Sequence, residues 1–147
     1  VALDVGCAMG FFSIPIAKMV GHGGRVVCVD LQQRMLESLD RRAQRAGVKD
    51  RLELRKCSKE SLGIEDLSGD VSFALAYAMV HEVPDATRLF EQIYQSLKIG
   101  GQFLMAEPRG HVSGRAFDES LKMAFDIGFV EAQRPTTRRA HTVVLRK

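Results

Sequence analysis

An open, mostly parallel β-sheet with helices on both faces is the fold predicted by this sequence, and three observations predict it. Short apolar runs of strand length alternate with segments of helical spacing along nearly the whole chain. The first run, Val1 to Val5, passes through a glycine-containing turn directly into a helix start near Ser13. The last two runs, Phe129 to Gln133 and His141 to Arg146, have no helix-length segment between them and are expected to pair antiparallel. The 147 residues fit one domain covering 1–147, able to bury roughly two thirds of the surface its unfolded form exposes.

Val1 to Val5 is long enough for a buried strand and too short for a helix. In the turn that follows, Gly6 and Gly10 let the backbone approach a ligand, and the helix start beyond offers free N–H groups. Ser13 suits an N-cap and Pro15 a first-turn position, where amides have no intrahelical partner. His22-Gly23-Gly24 turns into a second strand, Arg25 to Val29, with Asp30 at its end. An acidic residue there can accept hydrogen bonds from ribose hydroxyls, so strand, turn, helix and Asp30 together point to a nucleoside ligand.

Gln33 to Ala46 reads as a helix with Met35, Leu36, Leu39, Ala43 and Ala46 on one face and Gly47 as its stop. Leu52 to Arg55 alternates as a third strand, and Ser58 to Ser68 is a polar loop with a helical turn around Lys59 to Leu62. Val71 to Ala78 is apolar enough for a central strand buried on both faces. Ala86 to Leu97 returns to helical spacing and ends before Gly100-Gly101, which lead into a fifth strand, Gln102 to Glu107. After the turn at Pro108-Arg109-Gly110, Arg115 to Ile127 is an amphipathic helix stopped by Gly128. Ligands on such sheets bind at the carboxyl ends of the strands. That is expected to gather Gly6 to Gly10, Asp30, Cys57-Ser58, Tyr77 to Glu82 and Glu107 to His111 around one mouth.

Composition narrows the function classes. No apolar run approaches the roughly 20 residues of a membrane span, and no signal-peptide pattern opens the chain. Three cysteines without CxxC spacing suit reduced thiols and a cytoplasmic location. The four histidines show no ligand-like spacing, so no metal is expected. Arg134, Arg138, Arg139, Arg146 and Lys147 crowd the C-terminal end, as a nucleic-acid footprint or a guarded strand edge would; the net charge of only +3 favours the edge. The chain opens in a strand without an initiator Met, which suggests that the natural chain continues upstream.

Leu3-Asp4-Val5-Gly6-Cys7-Ala8-Met9-Gly10, Val29-Asp30, Val80-His81-Glu82-Val83-Pro84-Asp85 and Leu97-Lys98-Ile99-Gly100-Gly101 together resemble the class I S-adenosylmethionine-dependent methyltransferases, particularly those of ubiquinone and menaquinone biosynthesis. The resemblance runs over essentially the whole chain. It implies a three-layer α/β/α Rossmann-like sandwich around a seven-stranded, mostly parallel sheet with an antiparallel terminal strand. It also implies S-adenosyl-L-methionine as cofactor, S-adenosyl-L-homocysteine as product and a small-molecule methyl acceptor. By the same resemblance Asp4 lies near the methionine part, and Gly6, Cys7, Ala8 and Gly10 form the cofactor loop, touching it through backbone. Asp30 holds the ribose, Leu31 packs on adenine, Cys57 and Ser58 stand at the adenine edge, and Tyr77 and Ala78 line the cleft. Ala8 replaces the family's middle glycine, Cys57 stands where an acidic residue is usual, and Ser72 replaces a frequent Asp. The family's helices before the first strand, which cover the cofactor, have no counterpart in this sequence.

A nicotinamide enzyme would show Gly-x-Gly-x-x-Gly, and Asp4 would set negative charge beside a pyrophosphate. A cationic amine and sulfonium suit Asp4 better. A nicotinamide oxidoreductase and a non-catalytic methyltransferase-like binding subunit remain the alternatives. Methyl transfer needs a base only when the acceptor loses a proton, and His81 is the candidate. Glu82, Glu107, Arg109 and His111 are weaker candidates for holding the acceptor. Ala78-Met79-Val80-His81 differs from the Asn- or Asp-Pro-Pro-aromatic motif of enzymes that methylate base amines, which argues against a nucleic-acid amine.

Overall fold

The computed structural model describes residues 1–147. The chain is a seven-stranded mixed sheet, mostly parallel with antiparallel strands at one end, and it carries four helices. It divides into two compact units, Val1–Gly63 and Ile64–Lys147. No helix is long and apolar enough to cross a membrane.

The first unit contains β1 (Ala2–Val5), α1 (Ser13–Met19), β2 (Val26–Asp30), α2 (Gln33–Ala46) and β3 (Leu52–Lys56). Its strands run parallel in the order β3-β2-β1, with Leu3 beside Val27 and Val27 beside Glu53. Every residue of β1 and β2 is buried, which accounts for their unbroken apolar runs. Asp4 and Asp30 are the polar exceptions. The face of α2 that carries Leu36, Leu39 and Ala43 is buried, and Gly47 ends the helix with φ 68°. Ser13 does not cap α1: the N-cap is Phe12, and Ser13 is the first helical residue, its hydroxyl turned inward to Asp4.

The second unit contains β4 (Val71–Tyr77), α3 (Ala86–Ser96), β5 (Leu97–Pro108), α4 (Gly114–Ile127), β6 (Val130–Gln133) and β7 (Ala140–Arg146). The strand order is β4-β5-β7-β6; β4 and β5 are parallel, and β7 is antiparallel to both β5 and β6. Phe90, Tyr94, Phe103 and Phe129 form a chain of ring contacts in its core. Asp85 and Ser113 cap the two helices by accepting from Arg88 N and Ala116 N at 2.9 and 3.1 Å.

Three segments depart from their sequence expectation. The strand expected over Val71 to Ala78, buried on both faces, ends at an exposed Tyr77, because Ala78 turns to φ 56°. Leu97 belongs to β5 rather than to the preceding helix, because Leu97 is fully buried and pairs with Val71, so the strand begins before Gly100-Gly101. The helical turn expected near Lys59 to Leu62 lies instead at Glu65–Leu67. Around Ser58 the side chain competes with helix formation: its Oγ accepts from Glu60 N and Ser61 N. Of the C-terminal cations, Arg134 is tied to Glu131 and Asp118, while Lys147 donates to Leu97 O and lies 4.8 Å above the Tyr94 ring.

Candidate functional site

In the first unit the chain leaves β1 and reverses over Gly6 to Gly10. Gly6 and Gly10 have φ values of 69° and 80°, and Ala8, which has a side chain, has φ 45°. The loop amides are largely engaged. Gly6 N and Cys7 N donate to Val29 O at 2.8 and 3.1 Å, Ala8 N to Asp30 Oδ2 at 2.9 Å, and Gly10 N to Cys7 O at 2.9 Å. An anion would require such donors. What remains to these four residues for a ligand is carbonyl oxygen and Cα–H, which suit a cation.

The left-handed conformation of Ala8 preserves the loop geometry at a cost of roughly 1–2 kcal/mol relative to glycine. Ala8→Gly is therefore expected to raise stability by about 1 kcal/mol, measured by chemical denaturation; an unchanged or lower midpoint would show that the loop carries no strain there.

Asp30 is 8 % exposed. Its Oδ1 accepts from Gln32 N at 2.8 Å and its Oδ2 from Ala8 N at 2.9 Å, so one carboxylate ties the glycine loop to the entry of α2. Each oxygen retains a further lone pair. Leu31 beside it is a half-exposed apolar side chain. The Cys57 amide donates to Asp30 O, and burial followed by the Asp30 charge pushes its thiol up, so it stays a weak donor. Ser58 Oγ already accepts from the Glu60 and Ser61 amides, so its hydroxyl has only its proton to offer a ligand. Cys7 and Cys28 are buried; the pairing of the Cys7 S–H with the Cys28 sulfur, followed by burial, pushes the Cys7 thiol far up, which makes it unreactive.

Beneath the loop, Asp4 accepts from Ser13 Oγ at 2.5 Å and is 3 % exposed. Burial pushes its carboxyl up to about 6; the Asp30 charge adds to the rise and the Ser13 hydroxyl opposes it. The folded chain therefore holds this proton more tightly than the unfolded one, whose ordinary value is 3.8, so stability falls as pH rises from about 4 to about 6 and then levels. Asp4→Asn removes the buried charge. It is expected to stabilise the ligand-free protein at pH 8 by on the order of 2 kcal/mol, with the gain shrinking towards pH 5. Thermal unfolding at both pH values reads this directly, and an equal gain at both would contradict it.

In the second unit, Tyr77 ends β4 and is 41 % exposed. Ala78 has φ 56° and donates its N–H to Ala106 O at 2.7 Å. A single 3-10 turn, Val80–Glu82, follows and carries His81. Glu107, near the end of β5 and 2 % exposed, is the hub of this region. Its Oε1 accepts from Met79 N and Val80 N at 3.1 and 3.0 Å, and its Oε2 accepts from His81 N at 3.3 Å and from the His81 ring at Nδ1. The sequence singled out His81 and counted Glu107 only among acceptor-binding candidates. The available signal was a carboxylate closing the apolar run Phe103 to Ala106, at the strand end that β4–β5 pairing sets beside Tyr77. His111 stands with its ring centroid 5.8 Å from that of His81, whereas Arg109 and Glu82 are exposed. No group of three or more His, Cys, Asp or Glu residues is placed to hold a metal ion.

Residues 2–101 match the family model described as methyltransferase domain. A demethylmenaquinone methyltransferase from Lactobacillus johnsonii is 31% identical over 101 residues, covering 69% of this chain and 41% of that protein. The chain spans about two fifths of the length of the curated relatives it matches. Among solved structures, a SAM-dependent methyltransferase from Aquifex aeolicus shares the fold with a TM-score of 0.85 at 19% identity, over 98% of this chain and 80% of the other. Geranyl diphosphate C-methyltransferase from Streptomyces coelicolor, solved with S-adenosyl-L-homocysteine, gives 0.79 at 16% identity, over 99% of this chain and 70% of the other. These likenesses extend the Rossmann-like α/β fold over the whole chain. The family model covers more than half of the residues, the glycine loop and Asp30 among them, and the chain belongs to the methyltransferase domain family.

Proposed function

We propose that the chain is the core of an S-adenosyl-L-methionine-dependent methyltransferase that methylates a small-molecule acceptor and leaves S-adenosyl-L-homocysteine. The observation that carries this reading is the engagement of the Gly6, Cys7, Ala8 and Gly10 amides inside the protein, above the buried carboxylate of Asp4. A pyrophosphate needs free amides and no nearby anion, whereas a ligand bearing an ammonium and a sulfonium gains from carbonyls and a carboxylate. That favours the methyl donor over a nicotinamide dinucleotide. When bound, the cofactor supplies an electrophilic methyl group on a leaving group of low basicity.

The chain's own residues then bind and orient. Asp30 uses its remaining lone pairs for the ribose hydroxyls, Leu31 covers one face of the adenine, and Ser58 donates to a ring nitrogen, with Cys57 beside it. Tyr77 and Ala78 border the cofactor cleft, and His81 is the candidate base. The three free cysteines suit a reducing compartment, the cytoplasm. The acceptor is a small molecule rather than a nucleic acid. One relative is named for demethylmenaquinone, which makes a reduced quinone the first acceptor to try.

Calorimetry with S-adenosylmethionine and with a reduced nicotinamide dinucleotide tests the reading. Binding of the first, tightening as pH rises through about 6 and Asp4 ionises, is expected. Binding of the dinucleotide instead would sink the proposal.

A further inference from the structure

Resting on the methyl-transfer reading, we infer that Glu107 is the positioning residue of a proton-accepting pair with His81, and that the acceptor is therefore one that loses a proton as it is methylated: a hydroxyl or an activated ring carbon.

Three donors converge on the buried Glu107 carboxylate, the successive amides of residues 79–81, and the His81 ring meets it at Nδ1 as a fourth partner. They fill its roughly four lone-pair sites. Because a carboxylate filled in this way only accepts, the ring proton belongs on Nδ1 and the lone pair on Nε2. The same carboxylate oxygen holds both the amide and the ring of His81, so backbone and side chain are fixed together. A histidine kept only for structure has no need to present its second nitrogen. This ring is 25% exposed, and its Nε2 lies 3.9 Å from Glu82 Oε1, a second carboxylate suited to an imidazolium. Two further titratable groups near the pair are His111, whose ring is tilted 42° to that of His81, and His141, paired with Glu107 across β5 and β7.

The proton balance follows. An electron pair of the acceptor forms the bond to the methyl carbon, the carbon–sulfur bond breaks, and its pair stays on sulfur as a neutral thioether. The acceptor's proton passes to His81 Nε2. The positive charge lost from the sulfonium reappears on an imidazolium flanked by Glu107 and Glu82. A neutral amine attacking through its lone pair has no need of this proton acceptor in the methyl-transfer step.

Two variants separate positioning from structure. His81→Asn keeps an N–H donor near the place of Nδ1 and removes Nε2. Glu107→Gln keeps the shape and replaces one acceptor by a donor. In the wild-type protein, with and without S-adenosylmethionine, ¹⁵N spectra of the His81 ring are expected to show the Nδ1–H form, with the Nε2–H form rising in Glu107→Gln. Single-turnover methylation of a short-chain demethylmenaquinol and of catechol is expected to fall about 10²–10⁴-fold in His81→Asn, with cofactor affinity within about twofold of wild type. In Glu107→Gln the rate is expected to fall about tenfold or more, because the ring is no longer held with its lone pair on Nε2. An Nε2–H form in the wild type, wild-type turnover in His81→Asn, or a Glu107→Gln ring spectrum matching wild type would overturn the inference. Should Glu107→Gln not fold, the wild-type spectrum and His81→Asn decide alone. Cofactor binding without methylation of either probe by the wild type overturns the acceptor class. Absence of cofactor binding overturns the methyl-transfer reading instead, and the ring spectrum still reports the pair.

Discussion

Gly10→Ala is expected to lower stability by about 2–5 kcal/mol and to abolish measurable cofactor binding. Two costs add. At φ 80° an L-residue meets its own carbonyl, costing roughly 1–2 kcal/mol. The new Cβ would also lie 2.1 Å from Leu39 Cδ1, and Leu39 is fully buried, so its side chain has no free space to swing into. Overpacking of that kind costs about 1–3 kcal/mol. For a chain of this length the sum corresponds to a fall in melting temperature of about 5–15 °C. A double-mutant cycle isolates the clash. Leu39→Ala alone is expected to cost about 2–5 kcal/mol through its cavity, yet in the Gly10→Ala background it should cost about 1–2 kcal/mol less. Strict additivity would show that Leu39 does not limit this turn.

Asp30→Ala is expected to weaken S-adenosylmethionine binding by at least about 100-fold and to lower stability by about 2–4 kcal/mol. The carboxylate receives two charge-assisted hydrogen bonds, from Ala8 N and Gln32 N, each of the class worth about 1.5–3 kcal/mol. Removing it leaves both amides without their acceptor and frees Ala8 from the contact that holds its left-handed conformation. The ribose would lose its acceptor and the loop its anchor in a single change. Asp30→Asn, with one carbonyl oxygen, can serve only one of the two amides through its oxygen and should fall between wild type and Asp30→Ala. Calorimetry on folded Asp30→Ala decides the matter: affinity within a few-fold of wild type would remove Asp30 from the ribose site.

Much of this was legible in the sequence, for identifiable reasons. The strand–loop–helix unit and the acid at the end of β2 follow from short-range chemistry: buried apolar runs, glycines at positive φ, and a carboxylate twenty residues on from Gly10. The terminal antiparallel pair followed from the lack of a connecting helix. What escaped was set by tertiary contacts. Ser13 carries the composition of a cap, but the buried carboxylate of Asp4 takes its hydroxyl. Leu97 fits helical spacing, yet pairing with Val71 draws it into β5. Glu107 is twenty-six residues from His81 in sequence, and only the adjacent ends of two parallel strands bring them together. A single-sequence reading has no term for such pairings.

The saturated hydroxyl of Ser58 carries a consequence for nucleobase choice. An oxygen whose lone pairs are already taken can give a proton but not receive one. Adenine offers a bare ring nitrogen at N1, whereas hypoxanthine and guanine carry a hydrogen there, so donor would face donor. At the proposed adenine edge the 58–61 turn would thus act as a filter against 6-oxopurines without contacting the exocyclic amine. S-inosylhomocysteine is accordingly expected to bind about tenfold or more weakly than S-adenosylhomocysteine in calorimetry, a gap that Ser58→Ala should narrow.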